Sequence, residues 1–423
     1  MASVRNIRRV EKAFDVEVTL PGSKSIALRQ LVISALSNQS TELDGLTTFD
    51  DVVAMIGALR TFGVRIEQDG QVYRVEPPPS WRTGTLDIDL NMSGVSLRLL
   101  LGMAALRTDP TRFDGHTALH ARPNSDMLTA LEELGVHTES NDGRLPISMT
   151  GPRTFESSVT VRTDMSSQYL SGLLLVAPCL PNGLQINLRG ERVSAPYISI
   201  TLAEMAKRGV TVVAGDNVMS VAPQRYQGGN VVIEGDASAA SYHAALATLH
   251  AGRVRIANLG ASTIQGDYGF FAVCEQLGAT VIRGETFTEV TGPAKLKPLE
   301  QIDMTEMPDA AVTLMAVAPY LPKPTHITGL STLPHKECDR IACPARELAK
   351  AGVTMDVGDD WVRVYPLERL ARPASFETYD DHRMAMSMAV FASGADGCQV
   401  LDPDCVAKTY GEFWTDFSRI YAA

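Results

Sequence analysis

MIGALRTFGVRIEQDGQVYRVEP, residues 55–77, decides how the chain is read. An amphipathic helical segment runs into Gly63-Val64, where a helix end favours a residue that can adopt a left-handed backbone. A β-rich stretch, the polar turn Asp69-Gly70 and more apolar alternation then read as a hairpin. Four further copies occupy residues 127–149, 202–223, 273–293 and 345–366. Their marker glycines are Gly63, Gly135, Gly209, Gly278 and Gly352, separated by 72, 74, 69 and 74 residues. Helix–glycine–strand units occur in any α/β protein, but five at nearly constant spacing are the signature of a repeated supersecondary unit. A sixth copy is missing from the interior. TYGEFWTDFSRIYAA at residues 409–423 reads as a helix and FDVEVTL at residues 14–20 as a strand. The sixth unit is therefore expected to be split across the two termini, which would bring them together.

The length agrees with this reading. At roughly 150 residues per domain, 423 residues give a prior of two to three domains, and division into six units gives about 70 residues each. The hydrophobic share is 45% and the charged share 21%, which argues against wholesale disorder. No run of 18 apolar residues is present, so no membrane helix is expected. The opening MASVRNIRRVEKAFDVEV is basic but has no apolar signal core, and the chain is expected in the cytoplasm. The net charge of 38 minus 49, or −11, gives no broad basic face for nucleic acid. It leaves room for a few cations focused in one cleft on a small anion. The six cysteines form no CxxC pair, and reduced buried thiols are expected rather than a metal site.

Several turn-to-helix junctions carry cations. In PGSKSIALRQLVISAL, Ser23 can cap a helix whose positive end gathers Lys24, Ser25 and Arg29, a natural phosphate or carboxylate site or else a solvated helix start. The spacing of a Walker loop is absent. DMSSQYLSGLLLVAP places Ser166, Ser167 and Gln168 before a very apolar run, where capping explains one serine but not the set. In HKECDRI, Lys336 and Arg340 lie four apart and Glu337 and Arg340 three apart, so a helix would bring them together. A surface salt-bridge lattice is the ordinary reading of that pattern. TYDDHRMAMSMAVFA carries Asp381, His382 and Arg383 into an apolar helix, where charged groups need partners. Arg122 and Lys408 stand at two more junctions. A closed repeat could converge such positions on one cleft for small, highly charged anions.

These motifs, in this order and over essentially the whole chain, resemble the 5-enolpyruvylshikimate-3-phosphate synthase family of enolpyruvyl transferases. PGSKS with Arg29, SSQ at 166–168, RVSAPYI with Ser194 and Tyr197, and EGDASAASY carry the first part of the likeness. IQGD, MPDAA with Asp309, KECDR, YDDHRMAM and LDPDCVAKT carry the rest. The resemblance implies an α/β (α+β) fold of two lobes, an inside-out barrel-like arrangement of six βαβαββ units, three per lobe. One lobe would span 23–234, and the other 1–22 plus 235–423. The implied reaction moves the enolpyruvyl group of phosphoenolpyruvate to the 5-hydroxyl of shikimate 3-phosphate by addition and elimination. It needs no metal or other cofactor, and the implied protein is a cytoplasmic monomer with no nucleic-acid or membrane partner.

By the same resemblance, Lys24, Ser25, Arg29, Ser166, Ser167, Gln168, Ser194, Tyr197, Asp309, Thr332 and Lys336 bind the acceptor. Lys24, Gly94, Arg122, Gln168, Arg340, Arg383 and Lys408 hold phosphoenolpyruvate. Asp309 is the implied base, Glu337 is implied in proton transfer at the methylene carbon, and Lys24 and Lys408 are further proton-transfer candidates. The chain also departs from the family pattern. Its glycine-rich loop reads NMSGVSLRLL at residues 91–100, with Met92 and Val95 where the family has Asn and Thr. Ala27, Leu28, Ala118 and Thr332 replace further polar residues, so the loop is expected either to be rebuilt around the same substrates or to serve another phosphorylated cyclic acceptor.

Overall fold

The structure is a computed structural model and describes residues 3–190, 195–369 and 371–422. The chain divides into two compact units. Gly22–Ile233 form one, and the segment ending at Pro21 joins the segment beginning at Glu234 to form the other.

Each unit is built from three small sheets. In Gly22–Ile233 these are four-stranded, and each combines one parallel pair with an antiparallel hairpin. The parallel pair needs a crossover, and a helix supplies it. Leu86–Asp89, helix Gly94–Ala104 and Thr111–Asp114 make one such crossover, and the hairpin His137–Asn141 with Arg144–Thr150 completes the sheet. The first repeat of this unit takes its parallel edge from the unit's far end, where Gly229–Val232 pairs with Thr41–Asp44.

All five marker glycines have positive φ, between 80° and 104°, and each precedes the strand pair read from the sequence. The sixth repeat differs from the expectation in one respect. FDVEVTL supplies Asp15–Val18, which pairs parallel with Arg253–Ile256 and so belongs to the fourth repeat. The sixth sheet is three-stranded and is closed by Val4–Ile7, antiparallel to Cys398–Leu401. The termini do meet there, but through a strand so short and polar that it carries little alternation to read. The C-terminal segment is helical over Phe413–Ser418 and continues as a 3-10 turn, Arg419–Tyr421.

Three helices in each unit are buried on nearly every side and mostly apolar: Lys24–Leu36, Gly94–Ala104 and Ser167–Val176 in one, Ala237–Leu249, Ala311–Val317 and His382–Ala392 in the other. Within its unit each trio packs together, under sheets whose strands alternate buried and exposed residues. Leu170, Leu173, Leu174 and Leu175 are each at most 1% exposed. At roughly 1.5–3 kcal/mol per buried side chain, packing rather than capping stabilises this helix. Its backbone touches that of Gly94–Ala104: a Cβ on Gly102 would lie 2.3 Å from the Gly172 carbonyl oxygen. No described helix is long and apolar enough to cross a membrane.

Candidate active site

In the unit completed by Glu234 onward, six of the singled-out residues gather around Arg340. Its guanidinium is 1% exposed and donates to three carboxylates. Nε and Nη2 bind Asp381 at 2.7 and 3.0 Å, Nη1 binds Asp309 at 2.9 Å, and Nη2 also binds Glu337 at 2.8 Å. Asp309 receives Arg383 at 3.1 Å and lies 3.4 Å from the Lys336 ammonium, while Lys408 lies 3.2 Å from Glu337. Burial works against the Arg340 charge, yet Asp381, Glu337 and Asp309 outweigh it and hold the group above its ordinary range. Burial would likewise raise Asp309, but Arg383, Lys336 and Arg340 hold its carboxyl well below the usual value.

The local chain explains the cluster. Residues 336–341 are not the helix that the spacing of HKECDRI suggested. The helix begins only at Ala342, where Asp339 accepts from the Ile341 and Ala342 amides at 2.9 and 3.0 Å and Pro344 occupies the first turn. Lys336, Glu337 and Arg340 therefore project from an irregular bend, and the bridge that helical spacing would have left at the surface is buried. Asp381 and Arg383 of the DHR triplet find the partners their burial requires: Asp381 holds Arg340 and caps His382–Ala392 by accepting from the Arg383 amide at 2.9 Å, and Arg383 reaches Asp309. Thr332 precedes the 3-10 turn Leu333–His335, and its buried hydroxyl makes no hydrogen bond among the described residues.

In Gly22–Ile233 the cations meet a different environment. Lys24 opens helix Lys24–Leu36 and lies 3.2 Å from buried Asp51. Ser23 sits at the N-cap position, but its side chain makes no capping bond. Arg29, 2% exposed, donates to Thr201 at 2.7 Å, to Ser171 at 3.3 Å, and to the carbonyls of Ser25 and Tyr197 at 2.8 and 3.1 Å. Burial pulls Arg29 down to about 10. Ser166 caps Ser167–Val176 by accepting from the Gln168 amide at 3.2 Å, and Gln168 accepts from Arg98 at 2.6 Å. Arg98 also donates to Asn124 at 3.3 Å and lies over the Tyr169 ring. Ser194 lies outside the described residues.

The altered loop keeps a helix start. Ser93 caps Gly94–Ala104, and a Cβ on Gly94 would lie 2.8 Å from Arg122 Nη1, so the glycine leaves room for that guanidinium. Three groups escaped the candidate set: Asp51 against Lys24, Asp381 as the main anchor of Arg340, and Arg98 beside Gln168. A buried lysine at a helix start needs a counter-ion, and the first-turn acids Asp50 and Asp51 were the available signal. Asp381 stood in a singled-out triplet and Arg98 in the quoted loop, but nothing in the sequence gave their distances.

The chain matches the EPSP synthase (3-phosphoshikimate 1-carboxyvinyltransferase) family over residues 9–417. It is 35% identical over 417 residues to a protein of Paraburkholderia phytofirmans named 3-phosphoshikimate 1-carboxyvinyltransferase, covering 95% of this chain and 96% of that one. It is 36% identical over 406 residues to 3-phosphoshikimate 1-carboxyvinyltransferase 2 of Halalkalibacterium halodurans, covering 95% and 90%. The fold superimposes on that of an EPSP synthase from Acinetobacter baumannii with a TM-score of 0.81 at 22% identity, over 97% of this chain and 96% of that one.

Proposed function

The chain belongs to the EPSP synthase (3-phosphoshikimate 1-carboxyvinyltransferase) family, and from that premise we propose that it transfers the enolpyruvyl group of phosphoenolpyruvate to the 5-hydroxyl of shikimate 3-phosphate. The observation that carries the mechanism is the buried cluster in which Asp309 is held ionised by Arg340, Arg383 and Lys336.

In the addition step the acceptor oxygen bonds to C2 of phosphoenolpyruvate, its proton passes to Asp309, and C3 takes a proton. In the elimination step C3 loses a proton and the C2–O bond to phosphate breaks, so phosphate leaves with the bridging oxygen. Asp309 as it stands is a weak base, because three cations stabilise its charge. The phosphate and carboxylate of phosphoenolpyruvate compete for those cations. When Arg383 and Lys336 turn to substrate anions, Asp309 loses stabilisation and becomes a better proton acceptor at the moment it is needed. Glu337, tied to Arg340 and Lys408, is assigned to proton transfer at C3 together with Lys24 and Lys408. Arg122, Gly94 and Gln168 join Arg340, Arg383, Lys24 and Lys408 on phosphoenolpyruvate. Lys24, Ser25, Arg29, Ser166, Ser167, Gln168, Ser194, Tyr197, Thr332, Lys336 and Asp309 serve the acceptor. Bidentate guanidinium contacts suit both carboxylate and phosphate. The reading carries with it a cytoplasmic monomer.

The test is inorganic phosphate release. Release that requires both phosphoenolpyruvate and shikimate 3-phosphate is expected. Absence of release with both present would move the reaction to a different acceptor or remove it.

A further inference from the structure

The IQGD stretch, residues 264–267, has no role in the mechanism above, yet it contacts the cluster. Gln265 ties the segment entering helix Ala237–Leu249: its amide donates to Glu234 at 2.9 Å and to the Gly235 carbonyl at 2.8 Å, and its oxygen accepts from the Ala237 amide at 3.0 Å. Asp267, 7% exposed, accepts the Ser238 hydroxyl proton. With that proton committed, the Ser238 oxygen is turned to accept, and Arg383 Nη2 donates to it at 3.2 Å. The same nitrogen donates to Asp309 at 3.1 Å. The guanidinium is thus held between Asp309 on one side and a serine oriented by Asp267 on the other.

We propose that Asp267 is a positioning residue that aims Arg383 at phosphoenolpyruvate through the Ser238 hydroxyl. The inference rests on the proposed function and adds to it a residue that touches neither substrate. The groups facing Asp267 are Asp309 from Pro308–Ala310, Arg383 from His382–Ala392, and Asp236 and Ser238 at the start of Ala237–Leu249. On helix Phe270–Gln276, Glu275 is engaged by Arg283 and Cys274 is buried in the core. Burial and then the Asp309 charge raise Asp267 against the pull of Arg383 and Ser238, to about 6. The carboxylate is therefore present above that pH and neutral below it.

The experiment compares KM for phosphoenolpyruvate, KM for shikimate 3-phosphate and kcat in wild type, Asp267→Asn, Asp267→Ala and Ser238→Ala, with melting temperatures as a folding control. Asp267→Ala is expected to raise KM for phosphoenolpyruvate about tenfold, the scale of one hydrogen bond to a charged group, with KM for the acceptor unchanged. Ser238→Ala should match it, and the double variant should be no worse than either single one. The Asp267→Asn to wild-type ratio of KM for phosphoenolpyruvate should exceed one at pH 7.5 and approach one at pH 5, where both are neutral; titration of the substrate cancels in that ratio. Additive effects of the two alanine variants, equal losses in both KM values, or a ratio that does not vary with pH would overturn the proposal. A wild type that releases no phosphate refutes the proposed function instead. The same ratio read from calorimetric phosphoenolpyruvate binding then decides this one.

Discussion

Arg29 and Arg340 are both almost completely buried, and they end in opposite electrostatic states. Arg29 is held by two hydroxyls and two carbonyls and falls to about 10. Arg340 is held by three carboxylates and rises above its ordinary range. The contrast extends beyond one pair. Arg107 and Arg208, also buried in Gly22–Ile233, donate to backbone carbonyls, hydroxyls and a glutamine. Burial outweighs the through-space pull of Glu204 on Arg29 and Arg208, so a cation bonded mainly to neutral dipoles is only partly compensated and favours an incoming anion. One already surrounded by carboxylates gives them up only in exchange for other anions. The first arrangement suits binding of a stable phosphorylated acceptor. The second suits a site where substrate charge must change the basicity of a protein carboxylate.

Three changes test this contrast, from the largest expected effect down. Asp381→Ala removes the two-point anchor of Arg340 and leaves a buried charge short of a partner, with an expected loss of about 3–5 kcal/mol in denaturant unfolding. Arg29→Met leaves hydroxyls that can bond one another, such as Ser171 and Thr201 at 2.8 Å, so about 1–3 kcal/mol is expected. Equal costs for the two variants would break the contrast. The smallest effect is on pH. His243 and His250, both in the unit that holds Arg340, are lowered by burial to about 4 from an ordinary value near 6.5. A depressed histidine contributes stability that is present above the unfolded value and lost as pH falls from about 6.5 toward 4. Between pH 6.5 and 5.5 the loss is at most about 1.4 kcal/mol per histidine, offset in part by Asp267, which is raised to about 6 and contributes in the opposite sense as it takes up its proton. A chemical-denaturation series that is flat over that range would contradict it.

The repeat was legible because glycine at a left-handed helix end and a following hairpin are local constraints written into five segments. The closing strand Val4–Ile7 was not, since three of its four residues are exposed and only the partner strand defines it. At the site, the residues of the Arg340 cluster were each visible as charges near turns, but their assembly depended on an irregular bend that helical spacing misread. Asp51 and Arg98 were harder still. Their significance lies in distances to Lys24 and Gln168 across 27 and 70 residues of chain.

Enolpyruvyl transfer breaks the carbon–oxygen bond of phosphoenolpyruvate, and does so only with the acceptor present. Phosphoenolpyruvate labelled with oxygen-18 at the bridging position tests it most directly. Enolpyruvyl transfer predicts that the label leaves in inorganic phosphate, and only when shikimate 3-phosphate is present. Label retained in the three-carbon product, or phosphate released without acceptor, would contradict the account.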